Sequence, residues 1–87
     1  MKQVLHILKE SASSEAVRLI AEQESAGQEK INVLLIQRAV GLKPDLKSPV
    51  YVLENDLKTG GVTSPYQKVG YPKMLELILG ANAVVTW

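Results

Sequence analysis

The sequence predicts a small α/β domain built on a parallel sheet, and three observations predict it. Apolar runs recur without alternation (Val4 to Leu8, Ile31 to Ile36, Val50 to Leu53), as expected of parallel strands covered on both faces. Helical patterning follows the first run and recurs near the end of the chain. Gly or Pro stands at most junctions. The 87 residues suit one domain, 1–87, and no stretch has the composition of a linker.

The first run ends at Lys9-Glu10-Ser11 and reads as a strand. Ser13 and Ser14 are positioned to cap a helix whose first turn carries Glu15, where the helix dipole favours an anion. Ala16, Val17, Ile20, Ala21 and Glu24 keep helical spacing, and Gly27 supplies a left-handed stop. Ile31 to Ile36 is the second strand; Val50 to Leu53, entered from Pro49, is the third. Gln37 to Ser48 is short for a parallel crossover and holds one abbreviated helical turn, broken by Gly41 and Pro44. Asn55 or Asp56 caps a short helix through Lys58, stopped by Gly60-Gly61. Thr63-Ser64-Pro65 reads as loop, and Val69-Gly70-Tyr71 as the stub of a fourth strand. Pro72 opens a last helix. Met74, Leu75, Leu77, Ile78 and Leu79 leave that helix little polar face and predict its burial. Gly80 ends it, and Ala83 to Trp87 is the final strand. The alternation implies right-handed crossovers in a three-layer domain with four to five strands. The flavodoxin-like order 2-1-3-4-5 is the natural expectation for it.

Composition narrows the function. Ten Lys and Arg against nine Asp and Glu give a net charge of +1, so nothing argues for direct nucleic-acid or membrane binding. With no cysteine, disulfides, thiolate zinc sites and persulfide chemistry on this chain are excluded. The apolar run near Met1 is too short and too soon followed by Lys9-Glu10 for a signal peptide, and no segment approaches a bilayer span. A cytoplasmic location is the expectation. A chain this short has a thin core, for which oligomerisation is a common remedy.

Ligands of open parallel sheets sit beyond the carboxyl ends of the strands, where strand order reverses. In the expected order that crevice lies between strands one and three. Ser11, Gln37, Arg38, Glu54, Asn55 and Asp56 are the residues there that can face a ligand or partner, joined by Lys9 and Glu10. Arg38, Ser11 and the first helix start can serve an anion; all of them equally suit ordinary loop and cap roles. His6, the lone histidine, sits mid-strand and reads as a packed, hydrogen-bonded side chain rather than a base. Glu54 and Asp56 form a possible carboxylate pair, although Asp56 also suits a helix cap. No metal-ligand set, serine-nucleophile elbow or phosphate-binding loop is present in the sequence, and no cofactor is implied.

Four segments resemble the DsrH/TusB branch of the DsrE/DsrF/DsrH sulfur-relay family. Val4-Leu5-His6-Ile7-Leu8 is similar to its "LH-x-L" opening, and Val33 to Val40 to its "LLLLQ-x-(G/A)-V" second strand. Val50 to Val62 resembles "VYALxxDLxARGL", with Asp56, Leu57 and Gly61 in register. Val69 to Leu75, closing on Trp87, resembles "IxYxxFVxL…W". The connector Arg38 to Ser48 is shorter than is usual in that branch, and Gly60 stands where arginine is common. The resemblance implies an assembly that passes persulfide sulfur toward tRNA wobble-uridine 2-thiolation or sulfur oxidation. In DsrE-like sister subunits the carrier cysteine sits near the end of strand three, matching Leu53-Glu54-Asn55 here. Sulfur relay needs a thiolate, so the resemblance implies a non-catalytic subunit whose partners are DsrE/DsrF (TusD/TusC)-like chains or copies of itself. The alternative is a free-standing homo-oligomeric module that binds a small anion or nucleotide at the strand ends.

Overall fold

A computed structural model describes residues 2–10 and 14–87. Along the chain, β1 (Lys2–Leu8) leads to α1 (Ser14–Ala26), β2 (Glu29–Leu35) and a 3-10 helix over Gln37–Gly41. Then follow β3 (Val50–Leu53), α2 (Glu54–Gly60), β4 (Gln67–Val69), α3 (Tyr71–Gly80) and β5 (Ala83–Thr86). All four strand pairings are parallel, in the order β4-β3-β2-β1-β5. The expected α/β build with helices on both faces therefore stands. The sequence-based expectation for Ser13 as a cap lies outside the described residues, as does Ser11.

The expected order 2-1-3-4-5 is corrected. It would carry the connector from β2 across β1 before pairing β3. The actual connector holds only one 3-10 turn and delivers β3 to the free side of β2, the nearest vacant edge. The other side of β1 is filled by β5. Successive steps from β1 to β4 thus run one way across the sheet, and a single long step returns from β4 to β5.

Right-handed crossovers convert this order into an asymmetric sandwich. The three steps in one direction place α1, the 3-10 helix and α2 on one face. Ala16, Ile20, Ala39, Val40 and Leu57 pack there against Leu8, Ile31, Val33, Leu35, Val50 and Val52. The return step places α3 alone on the other face, where Met74, Leu77 and Ile78 meet Leu5, Ile7, Leu34 and Val69. Alternation along β1 and β2 feeds both cores from the same strands. The sequence-based expectation that α3 is well buried is corrected. None of its residues is buried, because a lone helix on a broad sheet covers one side of itself only. The fourth strand ends at Val69 rather than starting there, and Tyr71 already belongs to α3.

Gly27, with φ +68°, ends α1 as its left-handed stop. One turn earlier, Glu24 ties α1 to the β2–β3 connector. Its carboxylate accepts the backbone N–H of Lys47 at 3.1 Å and of Ser48 at 2.6 Å. Burial alone pushes this carboxyl up, but bonds from Ser48 and Lys47, with the Lys47 charge, outweigh burial and hold it below its ordinary value. A carboxyl depressed on folding stabilises fully above its unfolded pKa, and that contribution disappears as pH falls through the folded pKa. Glu24→Gln is expected to lower stability by about 1 kcal/mol at neutral pH and to flatten the acid limb of stability against pH below the ordinary value of 4.5. Urea titrations of both proteins across that range check it; an unchanged acid limb refutes the clamp.

Candidate functional site

Beyond the carboxyl ends of β2 and β3 lies an open crevice of about 340 Å³, lined by Gln37, Arg38, Asp56, Thr59 and Gly60. Its walls follow from how the two strands end. After Leu35, Ile36 still reaches β1, its N–H donating to the Leu8 carbonyl at 3.0 Å. Gln37 then takes φ +51°, the one left-handed non-glycine among the described residues. That conformation costs an ordinary side chain about 1 kcal/mol. It turns the chain sharply into the 3-10 helix, which Gly41 closes.

The opposite wall is α2, which starts without a loop. Leu53 leaves β3 in extended conformation and occupies the cap position with no side-chain cap bond. The sequence-based expectation that Asn55 or Asp56 caps this helix is therefore corrected. Because α2 begins at Glu54, Asp56 falls within its first turn, and its side chain turns to the neighbouring loop. There Asp56 Oδ2 accepts the Gln37 backbone N–H at 2.6 Å. The bond joins the strained residue after β2 to the helix after β3, and it is a short, charge-assisted one. Gly61, at φ +64°, ends α2 as expected, whereas Gly60 is still helical.

The remaining polar groups are mostly engaged within the chain. Glu54 pairs with Lys58 one turn on, at 3.1 Å, whereas Asp56 bonds Gln37; two positions apart on a helix, the two carboxylates do not face each other. Thr59 donates its hydroxyl to the Asn55 carbonyl at 3.0 Å; Asn55 itself is exposed. Arg38 reaches Glu10, in the loop after β1, at 3.7 Å, but the two side chains are 81% and 59% exposed. Such a pair contributes little and is readily exchanged. Of the expected strand-end residues, Gln37, Arg38 and Asp56 share the crevice and Glu54 and Asn55 sit on its α2 flank. The crevice lies between β2 and β3 and not between strands one and three, which are not neighbours.

His6 belongs elsewhere, on the α1 face and 1% exposed. Its Nε2 lies 2.7 Å from Gln23 Oε1, and the Trp87 indole N–H donates to its Nδ1 at 3.1 Å. An indole can only donate, so Nδ1 is the acceptor and Nε2 carries the proton toward Gln23. The rings stack with centroids 6.1 Å apart. In this strand order the direction reverses between β1 and β5, where a crevice is ordinarily sought; Trp87, packed against the main core, fills its α1 side. Sequence reasoning read His6 as packed but missed this partnership, whose signal was a tryptophan directly after the last apolar run. Among the described residues no group of three or more His, Asp or Glu side chains can hold a metal ion. No helix among them is long and apolar enough to cross a membrane.

Compared with known proteins, the sequence matches no protein-family model and no curated relative.

Two substitutions test these arrangements. Asp56→Ala is expected to lower stability by about 1–2 kcal/mol and to shift the Gln37 amide proton upfield; an unmoved amide resonance refutes the bond. His6→Ala removes a buried ring and leaves Gln23 and Trp87 without their bonds to it, for an expected loss of about 2–4 kcal/mol by urea unfolding. A loss below about 1 kcal/mol would show that Trp87 and Gln23 do not depend on it.

Proposed function

We propose that this chain is a non-catalytic docking subunit of DsrH/TusB type within a sulfur-relay assembly, serving tRNA wobble-uridine 2-thiolation or sulfur oxidation. One observation carries the reading: the end of β3, Leu53-Glu54-Asn55, presents a formed helix and a preorganised crevice but no thiol. Persulfide transfer requires a thiolate nucleophile, and the sequence has no cysteine. The histidine is consumed by Gln23 and Trp87, and the crevice carboxylate by a backbone N–H. What remains is shape and surface, which suits holding a sulfur-carrying partner rather than carrying sulfur. The sequence resemblance supplies the pathway, and a cytoplasmic location goes with it.

A second reading rests on Arg38. Its exposed guanidinium at the crevice mouth, paired among the described residues with the exposed Glu10, suits a small anion or nucleotide.

The test is co-expression with DsrE- and DsrF-like chains and a cysteine desulfurase supplied with labelled cysteine. The chain is expected to co-purify with those partners, to carry no label itself, and to increase label on the partner cysteine. Label on this chain that survives denaturation and is removed by reductant would overturn the reading, as would failure to associate. Saturable binding of inorganic phosphate or a nucleotide, lost in Arg38→Ala, with no such association, would establish the second reading instead.

A further inference from the structure

Five large hydrophobic side chains are exposed among the described residues, and four of them, Tyr71, Leu75, Leu79 and Val84, lie on α3 and β5. Leu75 is 55% and Leu79 76% exposed. Their placement is not scattered. Steps of four residues put Tyr71, Leu75 and Leu79 along one side of α3, next to the inward row of Met74, Leu77 and Ile78. Lys73 and Glu76, paired at 3.8 Å, take the opposite flank. Because α3 runs antiparallel to the strands in a right-handed return from β4 to β5, the helical turn carries Leu75 and Leu79 toward the β5 edge. Val84 lies on that same face of the sheet, in register with Leu5.

The two edges of the sheet are built differently. At β4 the strand is three residues long, with an exposed Lys68 and with Pro65 just before it, all features that discourage further pairing. At β5 there is no such guard. From Leu79 to Trp87 the sequence has no charged residue and no proline, so a strand edge with free backbone groups stands beside an apolar helix flank.

We infer that a second copy of this chain covers this edge, with β5 pairing antiparallel to β5 about a two-fold axis normal to the sheet. That operation keeps both α3 helices on the same face and brings their Leu75 and Leu79 flanks together over the seam. The two sheets join into one of ten strands. The occupant is a copy because the surface complements itself. An uncharged edge meets an uncharged edge without repulsion, and each apolar flank finds an equal one, as an isologous contact demands. Stable dimers bury about 800 Å² per partner. A four-residue strand cannot supply that alone, so the contact has to include the exposed α3 flank. This inference stands apart from the sulfur-relay reading, since it needs neither the crevice nor a sulfur-carrying partner.

Sedimentation equilibrium on the purified chain tests it. The wild type is expected to be a closed dimer at micromolar concentration. Leu79→Lys, at a site too exposed to disturb the protomer, is expected to raise the dissociation constant at least about tenfold with unchanged circular dichroism. Leu75→Lys is expected to do the same, and Lys68→Glu at the far edge to leave the dimer intact. Amide exchange of β5 is expected to slow in the dimer and to speed up in Leu79→Lys. A wild-type monomer that stays folded, a dimer indifferent to both leucine substitutions, dissociation by Lys68→Glu, or open-ended polymers would each overturn it.

Discussion

The handedness of the β-α-β crossover governs nearly everything else in this domain. A right-twisted strand feeding a right-handed helix packs back on the sheet in one sense only. Once the chain steps from β1 through β4 in one direction, its first three connections must share a face. The single return to β5 must then use the other. One side becomes a full core closed by α1, the 3-10 helix and α2, and the other receives one ten-residue helix. The crevice and the exposed flank of α3 are both products of that constraint. The first forms where adjacent connections crowd at the ends of β2 and β3, the second where one helix must serve a whole face.

Within the fuller layer, side-chain hydrogen bonds take over where regular backbone bonding stops. Glu24 receives two N–H groups of the β2–β3 connector, and Asp56 receives the N–H of the left-handed Gln37. Tyr66, whose hydroxyl is pushed up by burial and by Asp45, donates to the Pro44 carbonyl at 3.1 Å. Each of these acts on a connector between strands, where the backbone has no ladder partner. The polar side chains are thus spent on fixing loop geometry. That leaves the strand-end crevice with a defined shape and few free functional groups.

The fold was legible because unbroken apolar runs and glycine stops are local signals. Gly27, Gly41 and Gly61 each close the element they were expected to close. Strand order was not legible, since it depends on which edge a short connector can reach rather than on any residue pattern. The cap of α2 was misread for a related reason. Asp56 has the right chemistry for a cap, but β3 runs straight into the helix, and Leu53 takes the cap position. Burial of α3 was misread because an apolar helix has the same sequence whether or not a second helix lies beside it. The positions of Gln37, Arg38, Glu54, Asn55 and Asp56 at the ends of β2 and β3 follow from where the apolar runs stop, while Trp87 as the partner of His6 required the β1–β5 pairing to be seen.

That pairing has a consequence for how the chain reaches its structure. β1 is an interior strand, yet the residues that meet one of its edges come from the far end of the sequence; Gln3 and Asn82, joined at 2.8 Å, are 79 positions apart. The β1-α1-β2 unit can form from local contacts, whereas the β1–β5 pairing joins the strands most distant in sequence. Until β5 docks, β1 presents an open apolar edge and His6 lacks its indole donor. Docking of β5 therefore completes the longest-range strand pairing and at the same time covers an apolar strand edge, so the two sources of misfolding risk are removed together.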